Sequence, residues 1–142
     1  MTYWIFLLPI IAAVLAQAIK VVIELFHGNF SWHVLKKYGG WPSSHSALVF
    51  GLLGEMAYAE SFYSAAFAVA LVLTILIVRD ATGYRRDLDR HATIINQIAE
   101  SLPATKQIKL PHLDNTLAHT PGQIVAGAAV GLLTVIIGNL LI

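Results

Sequence analysis

The sequence predicts an all-α integral membrane protein, a single domain over residues 1–142 built as a bundle of four transmembrane helices with a cytoplasmic amphipathic helix. The first observation behind this prediction is composition. The chain is 57% hydrophobic and 12% charged, whereas a soluble domain carries about a quarter charged residues. Its mean hydropathy is +0.70. The other two observations are the lengths of the apolar runs and the placement of the basic residues.

Four apolar segments are long enough to cross a bilayer, which takes about 20 residues of helix. They run from Tyr3 to about Phe26, from Ser43 to about Tyr58, from Tyr63 to about Val78, and from Pro121 to the C-terminus. Lys20 and Glu24 interrupt the first segment, and the last contains no charge. An ionisable residue inside a span is costly, so Lys20 is a candidate functional residue.

The basic residues predict the orientation. Each lies at the inner end of a span or in one of two polar stretches, His27–Pro42 and Arg79–Thr120. They are Lys20, Lys36, Lys37, Arg79, Arg85, Arg86, Arg90, Lys106 and Lys109. Four spans put both stretches on one side, which the positive-inside rule makes cytoplasmic. We therefore expect an integral protein of a bacterial-type plasma membrane with both termini outside.

The second polar stretch begins with a predicted helix over Tyr84–Leu102. Its apolar residues recur at spacings of three and four between charged residues, as in an amphipathic helix. They are Leu88, Ile94, Ile95, Ile98 and Leu102. This helix is expected to lie on the membrane surface or to pack over the bundle. Two prolines bracket an irregular loop over Pro103–Pro111.

Several polar residues fall at the cytoplasmic ends of the spans, where two helices begin. A helix N-terminus binds phosphate through unpaired N–H groups and a partial positive charge. Ser43 and Ser44 would add hydroxyl donors, Arg85 or Arg86 a planar fork for two phosphate oxygens, and Lys20 a point charge. The candidate phosphate ligands are therefore Lys20, Ser43, Ser44, Arg85 and Arg86. With two histidines, the set contains the parts needed for phosphoryl transfer.

Each of these residues also has a purely structural interpretation. Ser43 is a plausible helix N-cap. Thr120 followed by Pro121 and Gln123 forms a capping box, which alone accounts for Gln123. Lys20 could pair with Glu24 one turn on, and the arginines could simply face lipid headgroups.

Composition excludes several other classes of function. The absence of cysteine rules out disulfides and thiolate metal sites. A net charge of +1 argues against a nucleic-acid partner. None of the six histidines shows the HExxH spacing, so no metal site is predicted. Asp80 either holds a divalent cation beside a substrate phosphate or pairs with an arginine.

At these residues the chain resembles the divergent branch of the type 2 phosphatidic acid phosphatase family, which is related to acid phosphatases and vanadium-dependent haloperoxidases. The resemblance covers nearly the whole chain. It is carried by Gln17–Lys20, Gly39–Ala47, Asp80–Arg86 and His119–Gly127. The Gly-Gly-x-Pro-Ser-Ser-His-Ser-Ala string followed later by His-Thr-Pro is a specific signature.

The resemblance implies catalytic roles for two histidines. In the wider superfamily, the histidine of a Pro-Ser-Gly-His motif protonates the leaving group, a position that falls on His45. A later histidine is the nucleophile, which falls on His119, and the residue that orients it falls on Gln123. The implied reaction is hydrolysis through a phosphohistidine with no required metal.

The chain departs from the superfamily pattern at Ser44, which stands in place of the glycine of the Pro-Ser-Gly-His motif, and in two further respects. No arginine stands six residues before His119, so Arg85 and Arg86 are the candidate replacements. Gln123 stands where the divergent branch usually has glutamate, and an amide cannot offset positive charge on an imidazole.

Together these features predict a phosphatase acting on a lipid phosphate or pyrophosphate headgroup from the cytoplasmic leaflet. Phosphatidylglycerophosphate, phosphatidic acid and polyprenyl phosphates are the expected substrates. The alternative is a headgroup-binding or carrier protein without catalysis, which the two further departures favour. The small residues of the last span invite close helix contacts, either inside the bundle or in a homodimer. They are Gly122, Ala126, Gly127, Ala128 and Gly131.

Overall fold

The computed structural model describes residues 3–27, 40–102 and 111–141, and every regular element in these ranges is an α-helix. The helices are α1 (Trp4–Phe26), α2 (Ser44–Ala59), α3 (Ala65–Thr82), α4 (Tyr84–Ser101) and α5 (Pro121–Leu141). The all-helical prediction is confirmed, and each boundary falls within a few residues of the expected one. The predicted loop over Pro103–Pro111 lies outside the described residues except for Pro111.

Within the described residues, three helical stretches are long and apolar enough to cross a membrane. They are α1, the nearly continuous pair of α3 and α4, and α5. The prediction of four full-length spans is met only in part, because α2 has 16 residues and a bilayer core takes about 20. The protein is therefore a membrane protein with three apolar helices of spanning length.

Helix α2 is the centre of the bundle, since it packs against α1, α3 and α5. A helix surrounded by other helices meets little lipid, so it can carry polar residues that a lipid-facing helix could not. Its buried residues accordingly include Ser46 and Glu55.

Two glycines of α5 let it lie directly against α2. A side chain at Gly127 would collide with the carbonyl oxygen of Ser43, and one at Gly131 with that of Ala47. The backbones therefore touch, as small residues allow in membrane helices. This contact fixes the starts of α2 and α5 side by side.

Helix α4 leaves its apolar side chains exposed, including Leu88, Ile94 and Ile98, while Ala92 and Asn96 are buried. Its narrow buried face contacts the non-helical segment that precedes α5. An exposed apolar face suits a helix at the membrane surface.

Candidate functional site

Two histidines come together where α2 and α5 begin. The ring centroids of His45 and His119 are 6.4 Å apart, and the rings are nearly perpendicular, at 81°. His119 is only 5% exposed. Neither of its ring nitrogens has a hydrogen-bond partner among the described residues, and the same holds for Nδ1 of His45. Buried polar atoms normally have partners, so this cluster calls for a ligand or another explanation.

Local backbone contacts bring the two histidines together. The Ser43 N–H donates to the carbonyl of Gln123 at 3.1 Å, which joins the start of α2 to that of α5. The His119 N–H donates to the carbonyl of Ala81 at 3.2 Å, which ties the same region to the end of α3. The Trp41 ring lies against Gly122, where no side chain would fit. Three helices therefore define the position of His119.

Lys20 of α1 is 2% exposed, as its functional interpretation requires. Its aliphatic stem packs on Gly40, whose φ of +126° favours glycine and where an added Cβ would lie within 3.1 Å of the Lys20 stem. A cavity of about 290 Å³ lies beside it, lined by Lys20, Ile23, Glu24, His27, Gly40 and Trp41. Lys20 therefore lines this cavity, and its charge also acts on His119.

The arginines differ in position. Arg85 Nε donates to Asp80 Oδ2 at 2.7 Å, and the Arg85 side chain is three-quarters buried. Arg86 is exposed. Asp80 is thus paired with an arginine, one of the two roles the sequence left open for it, and Arg85 is the arginine whose charge reaches His119.

Ser43 and Ser44 occupy different positions. The Ser43 hydroxyl is fully buried and accepts hydrogen bonds from the Ser46 N–H at 3.3 Å and the Ser46 hydroxyl at 3.0 Å. Ser43 is therefore the N-cap of α2, the structural alternative raised for it. Ser44, the first residue of the helix, is half-buried.

Gln123 forms the capping box with Thr120. Its Oε1 accepts from the Thr120 N–H at 3.0 Å, and its own N–H donates to the Thr120 hydroxyl at 3.3 Å. No described residue, Gln123 included, hydrogen bonds to either ring nitrogen of His119.

The surroundings of His119 favour its neutral form. Burial lowers the pKa of His119 to about 4, and the positive charges of Lys20, His45 and Arg85 act in the same direction. A neutral imidazole has a free electron pair at one ring nitrogen at ordinary pH. The same positive charges would favour a bound anion.

Two carboxylates have structural roles that were not predicted from the sequence. Glu55 of α2, 2% exposed, accepts a hydrogen bond from the Asn139 amide at 2.7 Å. Asp89 of α4 binds the backbone just before His119. Glu55 could have been noticed as a lone acid in an apolar run. Asp89 gave no such signal, because it falls among the charged residues of an amphipathic helix.

Within the described ranges, no three His, Asp or Glu side chains lie close enough together to hold a metal ion. The site's charge comes instead from Lys20 and Arg85, and its polar groups from two imidazoles and the start of α2. This set suits an oxyanion such as a phosphate group.

Comparison with known proteins gives a consistent result. The model of the divergent PAP2 family matches residues 2–134. An uncharacterized membrane protein of Bacillus subtilis (strain 168), YuiD, is 32% identical over 138 residues, which is 89% of this chain and 87% of that protein. No solved structure matches.

Proposed function

The chain belongs to the divergent PAP2 family, and on that basis we propose that it is a membrane-embedded phosphatase that hydrolyses a lipid phosphate headgroup through a phosphohistidine. The observation that carries the proposal is the pair formed by the buried His119 and the half-buried His45, whose ring centroids are 6.4 Å apart and whose buried ring nitrogens have no partner among the described residues. A reacting group must lie within about 3 Å of each catalytic atom. In the proposed complex, the phosphorus lies within reach of a His119 ring nitrogen and the lipid oxygen within reach of His45.

The proposed reaction has two steps. A neutral ring nitrogen of His119 attacks phosphorus, the bond between phosphorus and the lipid oxygen breaks, and His45 gives its proton to that oxygen. Water then attacks the phosphohistidine, His45 takes the proton from the water, and inorganic phosphate leaves with His119 restored. The low pKa of His119, about 4, supports its role as nucleophile.

Fixed positive charge would stabilise the transferring phosphoryl group. Lys20 and Arg85 act electrostatically on His119, and the N-terminus of α2 adds its partial charge. These groups would supply the positive charge that a metal ion supplies in other phosphatases, so we expect phosphate release to persist in EDTA.

The proposed topology has α1, α2, α3 and α5 in the membrane, with both termini outside and the site at the cytoplasmic face. The basic residues support this orientation. Although α2 is short, its neighbours surround it, so it need not match the hydrocarbon thickness by itself. The cavity beside Lys20 would then open at headgroup depth.

The substrate class follows from this position. A site at headgroup depth on the cytoplasmic face suits a phosphomonoester or pyrophosphate of a lipid made on that side. Phosphatidic acid, phosphatidylglycerophosphate and a polyprenyl phosphate form the test panel.

The deciding experiment measures phosphate release from this panel by the purified full chain in mixed micelles. We expect His119→Ala to abolish release and His45→Ala to reduce it strongly. His91→Ala is the matched control, because His91 lies exposed on α4. Trapping of an alkali-stable, acid-labile phosphoryl group by wild type and not by His119→Ala would identify the nucleophile.

A second candidate is a headgroup-binding or carrier protein. It is favoured by one observation: no described side chain hydrogen bonds to the His119 ring, so the ring lacks the direct carboxylate contact found in other histidine sites. Lipid phosphate binding without release, unchanged in His119→Ala, would establish this candidate and overturn the phosphatase.

Topology has its own test, since the chain contains no cysteine to interfere. Glu60 and His91 are both exposed, the first between α2 and α3 and the second on α4. In intact cells, an impermeant thiol reagent should label the Glu60→Cys variant and should label His91→Cys only after permeabilisation. The reverse pattern would place the site outside.

A further inference from the structure

The segment that carries His119 to its place has no helix of its own and is held by side chains of α4. The Asp89 carboxylate accepts the N–H of Leu117 through Oδ1 and the N–H of Ala118 through Oδ2, each at 2.9 Å. The next N–H, of His119 itself, is held by the Ala81 carbonyl. Three consecutive backbone N–H groups leading into the candidate nucleophile are therefore fixed.

A second contact holds the same segment farther from the site. Asn96 both donates to the Leu113 carbonyl and accepts from the Leu113 N–H, each at 3.0 Å. Asn96 follows Asp89 by seven residues, about two helical turns, so both side chains lie on one face of α4. This face therefore supports the segment at two points, with Asp89 the nearer to His119.

We propose that Asp89 is a positioning residue for the site: its carboxylate fixes the peptide groups of Leu117 and Ala118 and so aims the His119 ring at His45. The effect of Asp89 on catalysis rests on the proposed function. Its structural basis is independent of that function.

We assign this role to Asp89 because no described residue hydrogen bonds to the His119 ring. Its direction then depends on its backbone and on packing. Hydrogen bonds to an ionised carboxylate are about twice as strong as neutral ones. Two of them on adjacent N–H groups leave the peptide planes little freedom, and a misplacement of about 1 Å can cost about a hundredfold in rate.

The first test compares two carboxylates of the same helix. Asp89→Ala removes both hydrogen bonds, whereas Asp87→Ala removes an equal charge from an exposed side chain that forms an ion pair with Arg90 at 3.5 Å. We expect kcat for lipid phosphate to fall about 10- to 100-fold in Asp89→Ala, with KM within about threefold. Asp87→Ala should match wild type.

Asp89→Asn provides the conservative variant. Its amide keeps one acceptor oxygen and turns an NH₂ group toward the other N–H, so one of the two hydrogen bonds is lost. We expect kcat between those of wild type and Asp89→Ala. If Asp89→Ala does not fold, this variant decides the question by the same comparison with Asp87→Ala.

The second test needs no activity. Titration of ¹⁵N-histidine-labelled protein, with the His119 signals identified from His119→Gln, follows its ring directly. In Asp89→Ala the pKa of His119 should rise from about 4 toward the ordinary value near 6.5, because a ring released from its buried position meets water. Loss of a nearby negative charge alone would lower it, so a rise reports position.

The outcomes separate the two proposals. A wild type that releases no phosphate overturns the phosphatase, while a raised His119 pKa in Asp89→Ala still establishes the positioning role. An active wild type with unchanged kcat and unchanged titration in folded Asp89→Ala or Asp89→Asn overturns the inference. Equal losses in Asp87→Ala and Asp89→Ala would also overturn it, since charge and not contact would then be the cause.

Discussion

The contact between α2 and α5 carries a polar pair at each end, and the two pairs are built in opposite ways. Toward the ends of the helices, Glu55 accepts a hydrogen bond from Asn139, whose amide also donates to the Val135 carbonyl at 3.1 Å. Where the helices begin, His45 and His119 face each other with buried nitrogens that have no partner among the described residues.

This difference separates a structural pair from a functional one. A buried polar group with a partner costs little and specifies how helices align, whereas one without a partner costs about 1–3 kcal/mol. In this bundle Glu55 has a hydrogen-bond partner, whereas the buried nitrogens of the two imidazoles have none among the described residues. The histidine site is therefore left able to bind a ligand. A phosphate group would supply the missing hydrogen-bond partners.

Replacement of His45 in the unsatisfied pair should have a large effect on activity, second only to the loss of His119. As the general acid, it should contribute about 10²–10⁴ in rate for a lipid alcohol, which is a poor leaving group. We expect His45→Ala to lose most of this activity but to release nitrophenolate from p-nitrophenyl phosphate in the first turnover nearly as fast as wild type, because nitrophenolate leaves without a proton and only the later attack of water needs His45 as a base. Equal losses on both substrates would contradict an acid role for His45.

The sequence predicted the helices well because their causes are local. Each predicted span is an apolar run, and the N-caps Ser43 and Thr120 stand at the starts of α2 and α5. The predicted four-span topology already brings Lys20, His45, Arg85 and His119 to one end of the bundle.

Other features depend on distant contacts and left no pattern to follow. Glu55 and Asn139 are 84 residues apart, so neither identifies the other. Asp89 acquires its role from a non-helical segment whose path has no periodicity. The second predicted span is confirmed only as a helix, because α2 has 16 residues and a bilayer core takes about 20. Its packing against α1, α3 and α5 is not visible in the hydropathy pattern.

The next effect concerns the satisfied pair. Asn139→Leu leaves the Glu55 carboxylate buried without its donor, so we expect the purified protein to lose about 1–3 kcal/mol of stability, seen as a lower Tm. The double variant Glu55→Leu/Asn139→Leu should recover much of it. In folded protein, kcat should stay near wild type, and a catalytic loss without a stability loss would assign this pair to the reaction.

The pH profile tests the electrostatics of the unsatisfied pair. The nucleophile must be neutral, and the pKa of His119 is lowered to about 4 by burial and neighbouring positive charge. In kcat/KM, activity should therefore fall about tenfold per pH unit only below about pH 4. In kcat, this limb should lie at higher pH, because bound phosphate stabilises the protonated ring. A kcat/KM limb near 6.5 would mean that the ring is open to water.

The smallest expected effect separates capping from orientation at Gln123. Its Oε1 accepts from the Thr120 N–H, and Gln123→Glu keeps that acceptor while adding charge at the start of α5, worth about 0.3–1 kcal/mol of stability. We expect a slightly higher Tm and a kcat within about threefold of wild type. Gln123→Ala, which removes the acceptor, should lower Tm by a similar amount. A large rise in kcat for Gln123→Glu would instead mean that this position orients His119 during turnover, so that the amide limits the natural enzyme.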